Sequence, residues 1–477
     1  MPYELKYDSG RLGEHAMVIG AGISGLLSAR VLVDHFARVT VLDRDLLPNG
    51  AVPRKGVPQG RHLHSLSARG SELLEHFFPG LDKELADAGC PAVDQGWDTI
   101  TDTPAGRFPR FRSGIVMRAV SRDLLEWRVR SRLSGDPKIR FIQNREVTGL
   151  LYDKTSARIT GVTSRIRGGE REEDLVADLA VDASGERSRA PRWLLELGVA
   201  KPREKIVDAG LGYATRWYQV PEGFDGDWKS LAVLPKWPEQ PRGGSLRRVE
   251  GDRWTVVLLG IGENNQPPND PDAFLDFAKT LPSHVIHDAI ASAEPISPPY
   301  GYRRTANRRR HYEKLDGMPD NLLITGDAAC VMNPSYGQGM TLAALCAEAL
   351  EATLRKRNSL NGLSRAFHRR QVKTIAPSWT TTASSDAQWA AASREELGYV
   401  QRFLHRTSEE VFRMAVEHPE VARSLLEVKN LIKAPHYLLR PRILFPALYR
   451  MLANVRRPES SVAVTRTKRQ PRMNSDV

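Results

Sequence analysis

HAMVIGAGISGLLSARVLVDHFARVTVLD, residues 15–43, carries the strongest architectural signal in the chain. An apolar run rich in β-formers leads into a glycine-rich turn, apolar residues then recur at helical spacing, and ARVTVLD is again strand-like. Strand, glycine turn, helix and strand in this order open a nucleotide-binding βαβ unit. Gly20, Gly22 and Gly25 form G-x-G-x-x-G at the strand-to-helix junction, and Asp43 closes the second strand 18 residues after Gly25. The first glycine allows the tight turn, the second lets the backbone approach a pyrophosphate and the third permits close helix packing. The helix N-terminus attracts the phosphate charge, and the acidic residue can accept hydrogen bonds from a ribose.

Outward from this unit, a polar Pro/Gly-rich loop runs from Arg44 to about Gly60, and helical spacing returns from Leu63 to Phe78. Ser121 is a good N-cap for a helix to Leu133, with Leu124, Leu125, Val129 and Leu133 as its apolar stripe. From Ile139 to Ala183, and again from Ile206 to Ile261, the period changes to two, which predicts antiparallel strands. PDNLLITGDAA gives a further strand and turn, MTLAALCAEALEATLRK is strongly helical, and everything after about Pro377 reads as helix. No internal repeat is visible.

At 477 residues, with 41% hydrophobic and 26% charged residues, the chain has a globular composition and material for more than one domain. The net charge of +12 comes partly from the tail after Arg456, and no nucleic-acid motif accompanies it, so nucleic-acid binding is not expected. Three cysteines, Cys90, Cys330 and Cys346, make neither a disulfide framework nor a zinc spacing; with no export leader and no uninterrupted apolar span, a cytoplasmic, metal-free protein is expected.

A second motif, LLITGDAACVMNPSYGQGM at residues 322–340, joins an apolar strand to Gly326-Asp327 and then to Asn333-Pro334 and Gly337-Gln338-Gly339 at the start of a helix. A carboxylate such as Asp327 suits sugar-like hydroxyls, and glycines let backbone N–H groups reach a planar ring that gains negative charge. With both motifs, the sequence resembles the single-component flavoprotein monooxygenases, the group that includes para-hydroxybenzoate hydroxylase. The resemblance spans about residues 14–375. It implies that FAD is held by Gly326 and Asp327 at the ribitol and by Pro334, Gly337 and Gly339 at the flavin ring.

The resemblance further assigns Arg122, in VSRDLLEWRVR, to the pyrophosphate side. VDASGERSRAPRWLLELG matches the family's Asp-Gly segment near the phosphates, with Asp182 as its acid, but Asp182 and Gly185 are separated here by Ala183-Ser184. PRKGVPQGRHLHSLSARG, residues 53–70, resembles bacterial olefin epoxidases of polyether biosynthesis and, more remotely, squalene epoxidases and geranylgeranyl reductases. Arg61 falls where that branch has an arginine reaching the FAD phosphates. His62 and His64 are adjacent alternates, so an extended chain aims only one of them at a given site. The Trp-x-Trp-x-Ile-Pro signature of flavin-dependent halogenases is absent.

The expected fold is α/β: a discontinuous Rossmann-like, glutathione reductase-like FAD domain (12–200 and 300–375), an inserted antiparallel-sheet substrate domain (201–300), a helical C-terminal region (376–460) and a disordered basic tail (461–477). Tyr213, Arg216, Trp217, Tyr218 and Trp254 lie on the inserted sheet, with the register open. The resemblance implies that NAD(P)H reduces FAD, and that O2, through a flavin C4a-hydroperoxide, epoxidises or hydroxylates a largely apolar substrate. No catalytic side chain is assigned. Two rival readings are a flavin-dependent C=C reductase and a non-catalytic flavin-binding protein. The stretch 434–452 mixes large apolar residues with arginines, and reads either as a helix packed on the FAD domain or as a lid with weak membrane-surface contact.

Overall fold

The computed structural model describes residues 11–54, 56–391 and 398–455; the expected basic tail, 461–477, lies outside them. Gly13–Ile19 is the middle strand of a five-stranded parallel sheet, between Phe36–Leu42 and Leu179–Asp182, with Ile139–Ile142 and Leu322–Ile324 at the edges. Such a sheet is covered on both faces and must be apolar on both. Ala16 and Val18 accordingly enter one core with Leu26 and Leu27 of helix Ile23–Leu32, while Met17 and Ile19 enter another with Val162 and Trp193. Because Leu322–Ile324 pairs with Leu179–Asp182, the Gly326-Asp327 turn leaves the sheet at the same carboxyl edge as the glycine turn, where open α/β sheets bind ligands.

A second sheet has seven strands in the order Tyr300–Tyr302, Leu211–Gln219, Arg253–Ile261, Arg242–Val249, Ser230–Val233, Thr99–Thr103 and Gly106–Arg107. The sheet foreseen within 201–300 thus recruits Thr99–Thr103, which pairs in parallel with Ser230–Val233 and covers an edge that would otherwise stay open, and Gly106–Arg107, which pairs antiparallel with Thr99–Thr103. Ala214, Tyr218, Leu246, Trp254 and Val256 fill the core under helices Pro271–Lys279 and Val285–Ile290. The opposite face of Leu211–Gln219 turns Tyr213, Thr215 and Trp217 toward residues 61–62.

Helix Leu363–Ala390 runs unbroken through the expected boundary at 375/376, with Leu363 and Phe367 buried in the first core. Helices Tyr399–Glu417, Pro419–Lys429 and Pro441–Val455 follow. Of the 434–452 stretch, Ile443 and Ala447 are buried against Val411, Met414 and Ala415, so it packs on a neighbouring helix of the C-terminal region and leaves Phe445, Tyr449 and Leu452 exposed. Among the described residues no helix is long and apolar enough to cross a membrane.

Candidate active site

The two distant glycine motifs meet at the carboxyl edge of the parallel sheet. Gly20 has φ +103°, and a Cβ there would stand 2.7 Å from the Ala183 carbonyl oxygen, while a Cβ on Gly25 would stand 1.8 Å from the Gly20 carbonyl oxygen. Both positions therefore demand glycine for the fold itself. Gly22 is different: it is extended, and a Cβ would meet only the guanidinium nitrogens of Arg54 and Arg122, at 3.9 and 4.0 Å. Beside Gly22 begins helix Ile23–Leu32, whose N-terminus no side chain caps. The hydroxyl of Ser24, in its first turn, is buried without a hydrogen-bond partner. Free backbone N–H groups, a helix dipole and two guanidinium groups form a site for a diphosphate.

Asp43 is 7% exposed; its Oδ2 accepts from the Ala21 N–H at 2.7 Å and from Arg54 Nη1 at 3.1 Å, and its Oδ1 from the Asp45 N–H at 2.8 Å. The carboxylate thus anchors the glycine turn, with one lone-pair direction left for a ribose hydroxyl. Arg54 also pairs with Glu126 at 2.7 Å, and Arg122 pairs with the same Glu126 at 3.2 Å, which aligns both cations beside Gly22. Arg122 opens helix Arg122–Ser134, and Ser121 caps it by accepting from the Leu124 N–H at 3.3 Å.

Asp327 is surface-accessible yet hemmed in by protein, as on a cleft wall; burial raises its carboxyl pKa and the Arg122 charge opposes the rise. Gly326, at φ +61°, lies so close to Ser24 that a Cβ would reach its Oγ at 2.5 Å, which joins the second motif to the start of the first helix. Asp182 plays a different part from the one the resemblance implies. It is fully buried and accepts from the Ser184 N–H and hydroxyl and from the Ser188 hydroxyl at 2.9, 2.6 and 2.5 Å, so it organises its own loop.

Pro334 lies in the short turn Pro334–Tyr336, Gly337 follows at φ +66°, and helix Gly339–Leu354 starts without a side-chain cap. A Cβ on Gly339 would meet nothing within 4 Å, and the Oε1 of buried Gln338 has no partner. This turn offers backbone N–H groups and a helix dipole to a planar, electron-accepting ring. It is braced by Asp386, 1% exposed in helix Leu363–Ala390, which accepts from Asn307 Nδ2 at 2.5 Å, Asn333 Nδ2 at 2.9 Å and the Tyr336 hydroxyl at 2.7 Å. The residues present therefore fit the diphosphate, the sugar hydroxyls and the ring of a flavin dinucleotide.

Over this cleft lies one face of the second sheet. His62, 5% exposed, contacts Thr215 Oγ1 at 2.9 Å and stands edge-on to the rings of Tyr213 and Tyr302 at 4.9 and 5.4 Å. Burial and the Arg61 charge lower its pKa to about 4, so it is neutral near pH 7. His64 turns away and contacts the His62 carbonyl at 2.9 Å; burial and Arg122 bring it down to about 3. Trp217 donates to the Arg61 carbonyl at 2.8 Å. Arg216, Tyr218 and Trp254 belong to the opposite face: Arg216 bonds the Ser297 and Pro271 carbonyls, and the two aromatics are buried in the sheet's own core.

Arg61 itself departs from expectation: its guanidinium lies 5.0 Å above the Tyr300 ring, whereas Arg54, seven residues earlier, stands beside Gly22. The short helix Pro58–Arg61 between them turns the chain, which an extended reading of 53–70 does not foresee. Sequence reasoning also missed Asp386, an isolated acid in a helical stretch with no local signal. A grouping of His284, His287 and Asp288 has metal-ligand proximity, but it lies on the six-residue helix Val285–Ile290, on the face of the second sheet away from the cleft.

A family model described as FAD binding domain matches residues 14–357. Protein Rv3254 of Mycobacterium tuberculosis is 35% identical over 402 residues, covering 82% of this chain and 84% of that protein. Kynurenine 3-monooxygenase of Salinispora arenicola is 26% identical over 352 residues, 70% of each. Among solved structures, a flavoprotein/dehydrogenase from Cytophaga hutchinsonii superposes with a TM-score of 0.66 at 15% identity, covering 93% of this chain and all of that one, which shows a shared fold. The chain belongs to the FAD-binding domain family and is an FAD-dependent oxidoreductase of the flavin monooxygenase type.

Proposed function

We propose that the protein uses NAD(P)H and O2 to insert one oxygen atom into an electron-rich carbon of a small molecule with an apolar, unsaturated body, by epoxidation or hydroxylation. The observation that carries this reading is the convergence of both cofactor motifs under an aromatic roof, Tyr213, Tyr302 and Trp217, on a single dinucleotide site. When bound, FAD supplies the redox and oxygen-transfer chemistry. Arg54, Arg122 and the helix at Ile23 hold the diphosphate, and Asp327 holds the sugar-like chain. The turn at Gly337 and Gly339 would hold the ring beside a helix N-terminus, where the dipole favours negative charge. The roof excludes water and stacks flat substrates.

His62 and His64, held at about 4 and 3, are weak proton acceptors, and burial lifts the Tyr213 phenol. An alkene needs no deprotonation, so this environment favours it over a phenol that relies on a side-chain base. The likeness of residues 53–70 to olefin epoxidases supports the same preference. The test is turnover by the FAD-loaded protein under ¹⁸O2 with NADH or NADPH and a panel of alkenes and arenes. One labelled oxygen atom is expected in the product and the other in water. Turnover that proceeds equally without oxygen would sink the proposal in favour of a C=C reductase. Label arriving only from water, a halogenated product when bromide is supplied, or no substrate-stimulated NAD(P)H oxidation across the panel would each overturn it too.

A further inference from the structure

The sheet register and the C-terminal helices together set a pair of cations, Arg247 and Lys429, with no carboxylate partner among the described residues. Antiparallel partners share a face, and Trp217 pairs with Thr255, which pairs with Arg247. Arg247 is thus on the roof side, with Trp217 and Thr215, while Leu246 beside it enters the core under the helices. Its Nη1 donates to Ser65 Oγ at 2.7 Å and to the His64 carbonyl at 3.4 Å, and its Nε is buried with no hydrogen-bond partner. Ser65 in turn touches the flavin turn, since a Cβ on Gly337 would stand 2.9 Å from Ser65 Cβ. Arg247 therefore reaches the substrate side of the ring site through one intervening residue.

The second cation arrives from the C-terminal helices, beyond the 14–357 segment shared with the family. Lys429 ends helix Pro419–Lys429, and its neighbour Asn430 locks that end in place by accepting from the Ala68 N–H at 3.1 Å, three residues from Ser65. Lys429 is accessible to solvent yet enclosed by protein, and it feels the charge of Arg247. Burial lowers Lys429 to about 8 and Arg247 to about 10, and among the described residues no carboxylate acts on either. By contrast, Arg54 and Arg122 beside Gly22 are both matched by Glu126. Two like charges brought together in a half-buried place without an anion cost free energy that a bound anion recovers.

We propose that Arg247 and Lys429 form an oxyanion subsite which binds a carboxylate or phosphate at one end of the substrate, with the apolar body held under the aromatic roof. This assignment rests on the flavin-site reading above. Arg247 offers a planar fork for two oxygens and Lys429 a point charge. The substrate is then amphipathic, and its charged end fixes which carbon faces the ring. One of the two anchors belongs to the C-terminal region, so part of what sets specificity lies outside the shared FAD-binding segment.

The test is equilibrium titration of the full-length, FAD-loaded protein, read by perturbation of the flavin absorption spectrum and by calorimetry. The probes are matched pairs: benzoate, 2-naphthoate and decanoate against their amides, and 2-naphthyl phosphate against 2-naphthol. At least one anion should bind ten-fold or more tightly than its neutral partner, and the preference should fall to near unity in Arg247→Met and Lys429→Met while flavin content is retained. Whether the carboxylates or the phosphate show the preference identifies the oxyanion. The conservative Arg247→Lys and Lys429→Arg should keep most of it, which guards against a variant that merely misfolds. No preference in any pair, no binding by any probe, or a preference that survives both Met variants would overturn the subsite. Anion binding of this kind in a protein that fails the ¹⁸O2 test would leave the subsite standing and remove only the oxygenation reading.

Discussion

A single methyl group added at Gly22 separates cofactor binding from folding. Gly22 has φ −77° and ψ 173°, a conformation any residue adopts, and its Cβ position is open except for Arg54 and Arg122 nitrogens at 3.9 and 4.0 Å. Gly22→Ala should therefore leave the FAD-free protein folded, and stabilise it slightly, by about 0.4–1 kcal/mol, through the loss of unfolded-chain entropy. In the proposed placement, the same methyl stands where the backbone and both guanidinium groups would meet the diphosphate. Displacing one charged hydrogen bond costs about 1.5–3 kcal/mol, or roughly a 10- to 150-fold rise in the Kd for FAD. Gly25→Ala is the control, because its Cβ at 1.8 Å from the Gly20 carbonyl oxygen forces backbone to move, at about 1–3 kcal/mol of folding stability or more. The assay is FAD fluorescence titration beside chemical unfolding of both FAD-free variants. Wild-type affinity in Gly22→Ala, or a loss of FAD-free stability in Gly22→Ala as large as in Gly25→Ala, would refute the placement of the diphosphate at Gly22.

Asp327→Ala should weaken FAD binding by about 1.5–3 kcal/mol without unfolding the protein, measured by the same titration; unchanged flavin content would remove Asp327 from the cofactor site. Asp386→Ala leaves three donors, on Asn307, Asn333 and Tyr336, without an acceptor, at about 1–3 kcal/mol for each buried group left unpaired, and should release flavin through the loosened turn. Asp386→Asn keeps an oxygen for both amides and an N–H for the Tyr336 oxygen, so it should retain flavin; equal flavin loss in both variants would show that the carboxylate charge itself matters. The Lys429 ammonium is charged below about pH 8 and neutral above, so anion affinity should fall as pH rises from 7 to 9. In Lys429→Arg, where the charge does not titrate, the profile should be flat over that range, and a wild-type slope there would assign the titration to another group.

The sequence alone determined the cofactor half of the protein. A glycine turn works through backbone geometry and spacing, which are local: Gly20, Gly22, Gly25 and Asp43 fall within one βαβ unit, and Gly326, Asp327, Gly337 and Gly339 within one strand–turn–helix. The Ser121 cap was legible for the same reason, since a capping hydroxyl bonds three residues ahead. The substrate half was decided by tertiary structure. A strand's period of two says that Tyr213, Thr215 and Trp217 share a face and that Arg216 and Tyr218 share the other, but only the packing of the sheet on residues 61–65 decides which face meets that loop. Arg54 and Arg61 are seven residues apart in one basic loop, and the turn between them, set by packing, sends one to Gly22 and the other to Tyr300. Arg247, Lys429 and Asp386 come from a strand and two helices far apart along the chain. No periodicity joins them, because tertiary packing alone brings Arg247 to Ser65, seats the end of the Lys429 helix against Ala68 and sets Asp386 under Tyr336.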